Sequence, residues 1–149
     1  MLSQILMAFA LQAPVGLPPE FEISGAHIGM SYSALRESFP AMTCEVSCSD
    51  QSAKLHGYGG NLWVGIGDSA VNQVAFRFKP TLTEQQAEDV RAKYIELYGE
   101  PSRTTEYDAC EEWDRKAGAI VLCVRGGLSH TYWKDDKWGV TTSIIPSDT

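Results

Sequence analysis

The chain lacks clusters of basic residues and long apolar runs. Its 12 lysines and arginines are outnumbered by 19 aspartates and glutamates, which gives a net charge of −7. A surface of this sign repels phosphate backbones and anionic lipid headgroups, so we expect no nucleic-acid partner. The apolar run at the start of the chain is well short of the ~20 residues that a membrane-spanning helix needs, so we expect no membrane span.

Motifs for cofactors and catalysis are missing as well. The glycine-rich residues 57–60 are not followed by the Lys-Ser/Thr pair or the helix start of a phosphate-binding loop. The three histidines, His27, His56 and His130, are scattered, and no two cysteines have the CxxC spacing of a metal site. We therefore expect no metal, no cofactor and no catalytic residue.

What the chain does have is an uncharged N-terminal segment. Residues 1–13 carry no charged side chain, and small-residue cleavage sites end at Ala10 and Ala13. Residues 14–20 are rich in proline and read as a linker. The pattern is typical of a secretory signal peptide, and predicts a periplasmic or secreted protein. The alternative is an N-terminal amphipathic helix, because the apolar residues also fall at helical spacing.

Four cysteines in an exported chain imply two disulfides, with three possible pairings. We favour Cys110–Cys123, because these residues lie opposite each other if the chain makes a hairpin turn midway between them. Cys44 and Cys48 are then left to close a small loop or bend.

Two helices are indicated by their capping residues. Ser31 is a good N-cap for a short first helix, which Pro40 brings to an end. A second helix is predicted at residues 84–98, where Thr83 and Gln86 match a capping box. Its apolar stripe consists of Ala87, Val90, Tyr94 and Leu97.

Most of the remaining chain shows the period of two that is typical of strands. Strands are predicted at 21–28, 43–47, 53–58, 62–66, 73–78, 103–107, 110–115, 119–125, 130–134 and 140–145. Residues 59–61 predict a turn, and the wholly apolar residues 119–124 predict a central strand covered on both faces. We therefore expect one α+β domain over 21–149, with two helices packed on one face of an antiparallel sheet.

The order of helix, strands, helix, strands suggests a tandem repeat with units at 21–80 and 81–149. Each unit has a helix that ends near a proline, and each places a cysteine early in its strands, at Cys44 and Cys110.

One short motif resembles a known family. Residues 28–31 (Ile-Gly-Met-Ser), with Leu35 and the helix-ending Phe39-Pro40, resemble a helix opening of the β-lactamase-inhibitor-protein-like fold, which small outer-membrane-assembly lipoproteins share. The resemblance implies short helices on one face of an antiparallel sheet, with tandem copies joined into one concave sheet. No cysteine lies near the end of the leader, so we expect no lipidated cysteine, and Cys44 and Cys48 are only four residues apart, unlike in the inhibitors. No binding residue is therefore transferred from either group.

The aromatic residues supply the hypothesis on function. Aromatic side chains favour strand packing, but tryptophan and tyrosine also dominate protein interfaces. We interpret them as an exposed sheet face of a non-enzymatic module, an inhibitor or envelope adaptor, that binds a protein in the envelope or outside the cell. The candidate binding residues are Tyr132, Trp133, Asp135, Asp136, Trp138 and Trp113.

Two alternatives remain open. The acids around Trp113 suit a carbohydrate-binding or hydrolase domain, because Glu112 and Asp114 share one face of a strand. In the other alternative the tryptophans are buried and the chain is a structural domain without a ligand.

Overall fold

The computed structural model describes residues 19–105, 109–126 and 137–147 of the chain. Its helices are α1 (Tyr32–Ser38) and α2 (Glu84–Tyr98). Its strands are β1 (Thr43–Cys44), β2 (Ser47–Leu55), β3 (Tyr58–Gly67), β4 (Ala70–Phe78), β5 (Arg103–Thr105), β6 (Cys110–Arg115), β7 (Gly118–Gly126) and β8 (Trp138–Pro146).

All eight strands form one antiparallel sheet in the order β1-β2-β3-β4-β8-β7-β6-β5. β4 and β8 meet at its centre, where Val74 lies opposite Ile144 and Ala75 opposite Ser143. The predicted α+β class and the antiparallel sheet are therefore confirmed. The tandem repeat stays a prediction.

Both helices begin as their caps predict. The Ser31 hydroxyl accepts a hydrogen bond from the Ala34 amide at 3.1 Å, and Thr83 and Gln86 form the full capping box. α2 ends at Gly99, whose φ of 86° suits glycine. These contacts satisfy amides that a helix start otherwise leaves without partners.

The core lies on one side of the sheet, here called the helix face. Alternate strand residues point to this side and are buried, and buried residues of both helices join them in one cluster. The strand members include Leu62, Val64, Val74, Phe76, Ile120, Leu122, Val140 and Ile144, and the helix members include Leu35, Val90 and Tyr94. Both helices therefore pack on the same face, as predicted, and we call the opposite side the open face.

One predicted strand is wrong because a tight turn replaces it, and another is interrupted by a turn between the end of β2 and the start of β3. Residues 21–28 form a turn in which the Ile23 and Ala26 backbones exchange hydrogen bonds at 2.9 and 2.8 Å. The predicted strand 53–58 spans a hairpin turn at His56-Gly57, where φ is 52° and 87°. Positive φ at two successive residues is the conformation of a two-residue hairpin turn.

The turn predicted at 59–61 is also wrong, because these residues lie inside β3. A Cβ atom on Gly60 would come within 2.6 Å of the Phe76 ring, so glycine serves close packing here.

Two further expectations differ from the structure. Leu97 does not belong to the buried stripe of α2, since its side chain is 52% exposed. β7 is not covered on both sides, because Val121 on the open face is only half-buried. The strand predicted at 130–134 lies outside the described residues.

Both predicted disulfides are present. Cys44 bonds Cys48 between β1 and β2, and Cys110 bonds Cys123 between β6 and β7. In each pair the two residues lie directly opposite each other, with Cα atoms 4.0 Å apart. The register of two neighbouring strands is thereby fixed covalently in each half of the sheet.

The longer disulfide loop should stabilise the fold more. The sequence separations are 13 and 4, so loop-closure entropy predicts about 3 kcal/mol for Cys110–Cys123 and about 2 kcal/mol for Cys44–Cys48. In one variant the two cysteines of the first disulfide are replaced, and in the other those of the second, so that each retains a single disulfide. The free energy of unfolding of each variant is measured in urea before and after reduction. Comparing each variant with its own reduced form cancels the packing cost of the substitutions. A larger reduction loss for Cys44–Cys48 would contradict the entropic ordering.

A buried polar chain links α2 to the sheet. The Tyr94 hydroxyl donates to the Thr142 hydroxyl at 2.6 Å, and Thr142 donates to the Val121 carbonyl at 2.8 Å. Burial raises the pKa of the Tyr94 hydroxyl far above its usual value, so the group remains a neutral donor.

Thr142→Val should cost more stability than Tyr94→Phe. The valine leaves the buried Tyr94 hydroxyl without an acceptor, at about 1–3 kcal/mol, whereas in Tyr94→Phe the Thr142 hydroxyl keeps its bond to Val121. Urea unfolding of both single variants and the double variant measures the coupling. The double variant should lose less than the two single losses added together, and strict additivity would show that the two hydroxyls do not interact.

The hairpin turn between β2 and β3 carries a histidine that packs on the same tyrosine. The His56 and Tyr94 ring centroids are 5.7 Å apart in an edge-to-face arrangement. Burial, and secondarily the positive charge of Lys93, lower the pKa of His56 below its ordinary 6.5.

Stability should therefore fall as the pH drops below about 6.5, because the unfolded chain takes up a proton that folded His56 resists. His56→Asn removes the titrating group and retains a residue that tolerates positive φ. The free energy of unfolding, measured between pH 5 and pH 8, should vary less in this variant than in the wild type. An equal pH dependence in both proteins would overturn the assignment to His56.

Candidate binding face

The prediction that Trp113 is an exposed binding residue is wrong. Its side chain is 0% exposed, and its indole nitrogen donates to the Gly99 carbonyl at 2.7 Å. The ring packs against Tyr94 and Tyr98 of α2, at centroid distances of 5.6 and 6.4 Å. Odd-numbered residues of β6 point to the helix face, so Trp113 belongs to the core.

The other predicted binding residues divide into two groups. Trp138 is half-buried and packs against the core, and its backbone exchanges hydrogen bonds with Leu82 at 2.7 and 3.0 Å. Tyr132, Trp133, Asp135 and Asp136 lie outside the described residues.

The acids beside Trp113 are held by arginines. Glu111 forms a two-pronged ion pair with Arg91 of α2, at 2.5 and 2.8 Å. Glu112 and Asp114 share one face of β6, as predicted, and this is the open face. Both bind Arg103, at 3.1 and 2.5 Å. The hydrogen bond to Asp114 raises the pKa of Arg103.

This arrangement gives little support to a hydrolase. Each of the three carboxylates already has an arginine partner, so none is left free to protonate a leaving group. Trp113, beside which these acids lie in the sequence, points away from Glu112 into the core.

The open face is continuous across the sheet. The strand registers align one row of side chains from edge to edge, because each residue lies opposite the next. In order, the row consists of Thr43, Ser49, Trp63, Ala75, Ser143, Val121, Glu112 and Arg103. Side chains at the centre of the row are small, so this part of the face has a low floor beside Trp63.

Trp63 is the large exposed aromatic residue of this row. Its side chain is 38% exposed, and its indole nitrogen donates to the Ser47 hydroxyl at 2.9 Å. The ring leans over Gly65, where an added Cβ would lie 3.3 Å from the edge of the indole. Ser47 and Gly65 therefore fix the orientation of the ring. The alternation of Trp63 with buried Leu62 and Val64 was a usable sequence signal for this site.

A shallow cavity of about 320 Å³ lies beside Trp63 on the open face. The residues that line it are Asn61, Trp63, Ala75, Phe76, Arg77, Thr141, Thr142 and Ser143, of which Phe76 and Thr142 are buried in the core. Arg77 forms no ion pair or side-chain hydrogen bond with any described residue. The site therefore combines a fixed aromatic ring, an available guanidinium group and several neutral hydrogen-bonding groups.

Within the described ranges, no group of three or more His, Cys, Asp or Glu side chains is arranged to hold a metal ion. The same ranges contain no helix long and apolar enough to cross a membrane.

Comparison with known proteins gave no match, whether to a family model, to a curated protein or to a solved structure. The resemblance to the β-lactamase-inhibitor-protein-like fold therefore stays a prediction.

The exposure of Trp63 can be checked by fluorescence. Iodide should quench a smaller fraction of the emission in Trp63→Phe than in the wild type, because the substitution removes an accessible indole. Trp113→Phe is the matched control: it removes a buried indole, so the quenchable fraction should rise. A quenchable fraction that is unchanged in Trp63→Phe would show that Trp63 is covered.

Proposed function

We propose that this chain is an exported, non-enzymatic protein-binding module, an inhibitor or envelope adaptor, that binds its partner through the open face of the sheet. The observation that carries the proposal is Trp63, an exposed tryptophan held in one orientation by Ser47 on a sheet face that neither helix covers. Tryptophan is enriched at interface hot spots, and a side chain that is already ordered loses less entropy on binding.

Two further features support export and the repeat. The two disulfides suit an oxidising compartment, where such bonds persist. The strands run inward from both edges of the sheet in chain order, β1 to β4 and β5 to β8. This order favours two tandem copies joined through their last strands, so that the open face would span both copies.

Photo-crosslinking in the cells of origin tests the proposal. A photoreactive residue replaces Ser143 on the open face, and in a control chain it replaces Lys93 on α2. We expect a protein adduct from position 143 that is lost on adding Trp63→Ala, and no such adduct from position 93. Circular dichroism verifies that Trp63→Ala remains folded.

Three outcomes would contradict the proposal: no adduct from position 143, the same adducts from both positions, or an adduct from position 143 that persists in Trp63→Ala.

A further inference from the structure

The cavity beside Trp63 has a charge that sets it apart from the chain as a whole. The chain carries a net charge of −7, but the one charged residue among the described residues that line the cavity is Arg77. Arg103, which lies on the same face at the far edge of the sheet, is already paired with Glu112 and Asp114. An incoming group therefore meets an unpaired guanidinium in a mostly acidic protein.

Arg77 favours a carboxylate. Its planar guanidinium matches a carboxylate with two parallel hydrogen bonds, and such charge-assisted bonds are stronger than neutral ones. Asn61, Thr141 and Ser143 add neutral hydrogen-bonding groups around it. A cationic partner group would be repelled at this position.

The backbone around the cavity is already paired. β4 is bonded to β3 on one side and to β8 on the other along the residues that form the floor. A partner strand therefore cannot add to the sheet here, and recognition depends on side chains.

The strand register sets the distance between Trp63 and Arg77. Trp63 lies opposite Ala75, so Arg77 is its diagonal neighbour on β4, at a backbone separation of about 7–8 Å. In an extended segment, side chains at positions i and i+2 point the same way and are separated by about 7 Å. Both residues border the cavity, and the indole leans toward Gly65 and Ser47, away from Arg77. An apolar residue and an acidic residue at this spacing would therefore contact the side of Trp63 that borders the cavity and, together with it, Arg77.

We propose that the cavity binds an acidic segment of the partner protein, in which a carboxylate pairs with Arg77 and an apolar side chain two residues away lies on Trp63. This inference rests on the proposed protein-binding function and names the chemistry of the partner.

Defined peptides test the inference on the full chain. The probe is acetyl-Ser-Phe-Ser-Glu-Ser-amide, with a Gln-for-Glu peptide as its matched control, and binding is followed by backbone amide shifts in NMR. We expect the Glu peptide to bind at least about tenfold more tightly than the Gln peptide, which corresponds to a charge-assisted hydrogen bond. Its affinity should fall as salt is added, because the pair is exposed.

Protein variants complete the design. Arg77→Gln should remove the preference for the Glu peptide, and Arg77→Glu should transfer it to a Lys peptide. Arg91→Gln is the matched control, since Arg91 lies on α2 and pairs with Glu111. This variant should bind as the wild type does.

Three results would overturn the inference: no binding of the Glu peptide, equal binding of the Glu and Gln peptides, or binding of a galacturonate trisaccharide in place of the peptide. The two proposals can fail separately. A Trp63-dependent protein adduct without a preference for the Glu peptide would retain the proposed function and reject the acidic segment. Binding of the Glu peptide without any protein adduct would retain the chemistry of the cavity and reject the proposed function.

Discussion

The fold depends on the pairing of β4 with β8. This pairing joins residues 74–77 to residues 141–144, so it connects the two halves of the chain at the centre of one sheet. It places Val74 beside Ile144 on the helix face, within a single core. On the other side it places Ala75 beside Ser143, and the open face becomes one continuous surface. Without this contact each half would have an exposed strand edge and only part of a core.

The local signals in the sequence predicted the helices well, because a cap acts within a few residues. Ser31, Thr83 and Gln86 make the predicted contacts, and α2 has the predicted bounds. The β4–β8 pairing could not be predicted in the same way, since a period of two shows that a strand has two faces but not which strand lies beside it. The turn predicted from the glycines at 59–61 was wrong for a related reason. Gly60 allows close packing of Phe76, which lies on a neighbouring strand.

The candidate site shows the same limit. In β6, charged residues occur on both faces, so alternation did not reveal whether Trp113 or Glu112 faces the core. The structure decides this through α2, because Trp113 is buried against Tyr94 and Tyr98 of the helix. The ion pair between Arg91 and Glu111 lies on the same side of β6. Trp63 was easier to place, since its neighbours Leu62 and Val64 are plainly apolar. An exposed aromatic residue is thus best identified where both of its chain neighbours belong to the core.

The rigidity of the open face follows from where the disulfides lie. Cys48 is buried on the helix face, directly next to Ser47, which accepts the hydrogen bond from the Trp63 indole. The disulfide to Cys44 therefore holds the strand that orients the exposed ring. Cys110 and Cys123 fix the opposite half of the sheet, while the centre is held by packing in the core. Because the floor of the cavity consists of small side chains, few groups are available to supply affinity. A binding site of this kind depends on ordering those groups before the partner arrives, and the bonds around Trp63 do so.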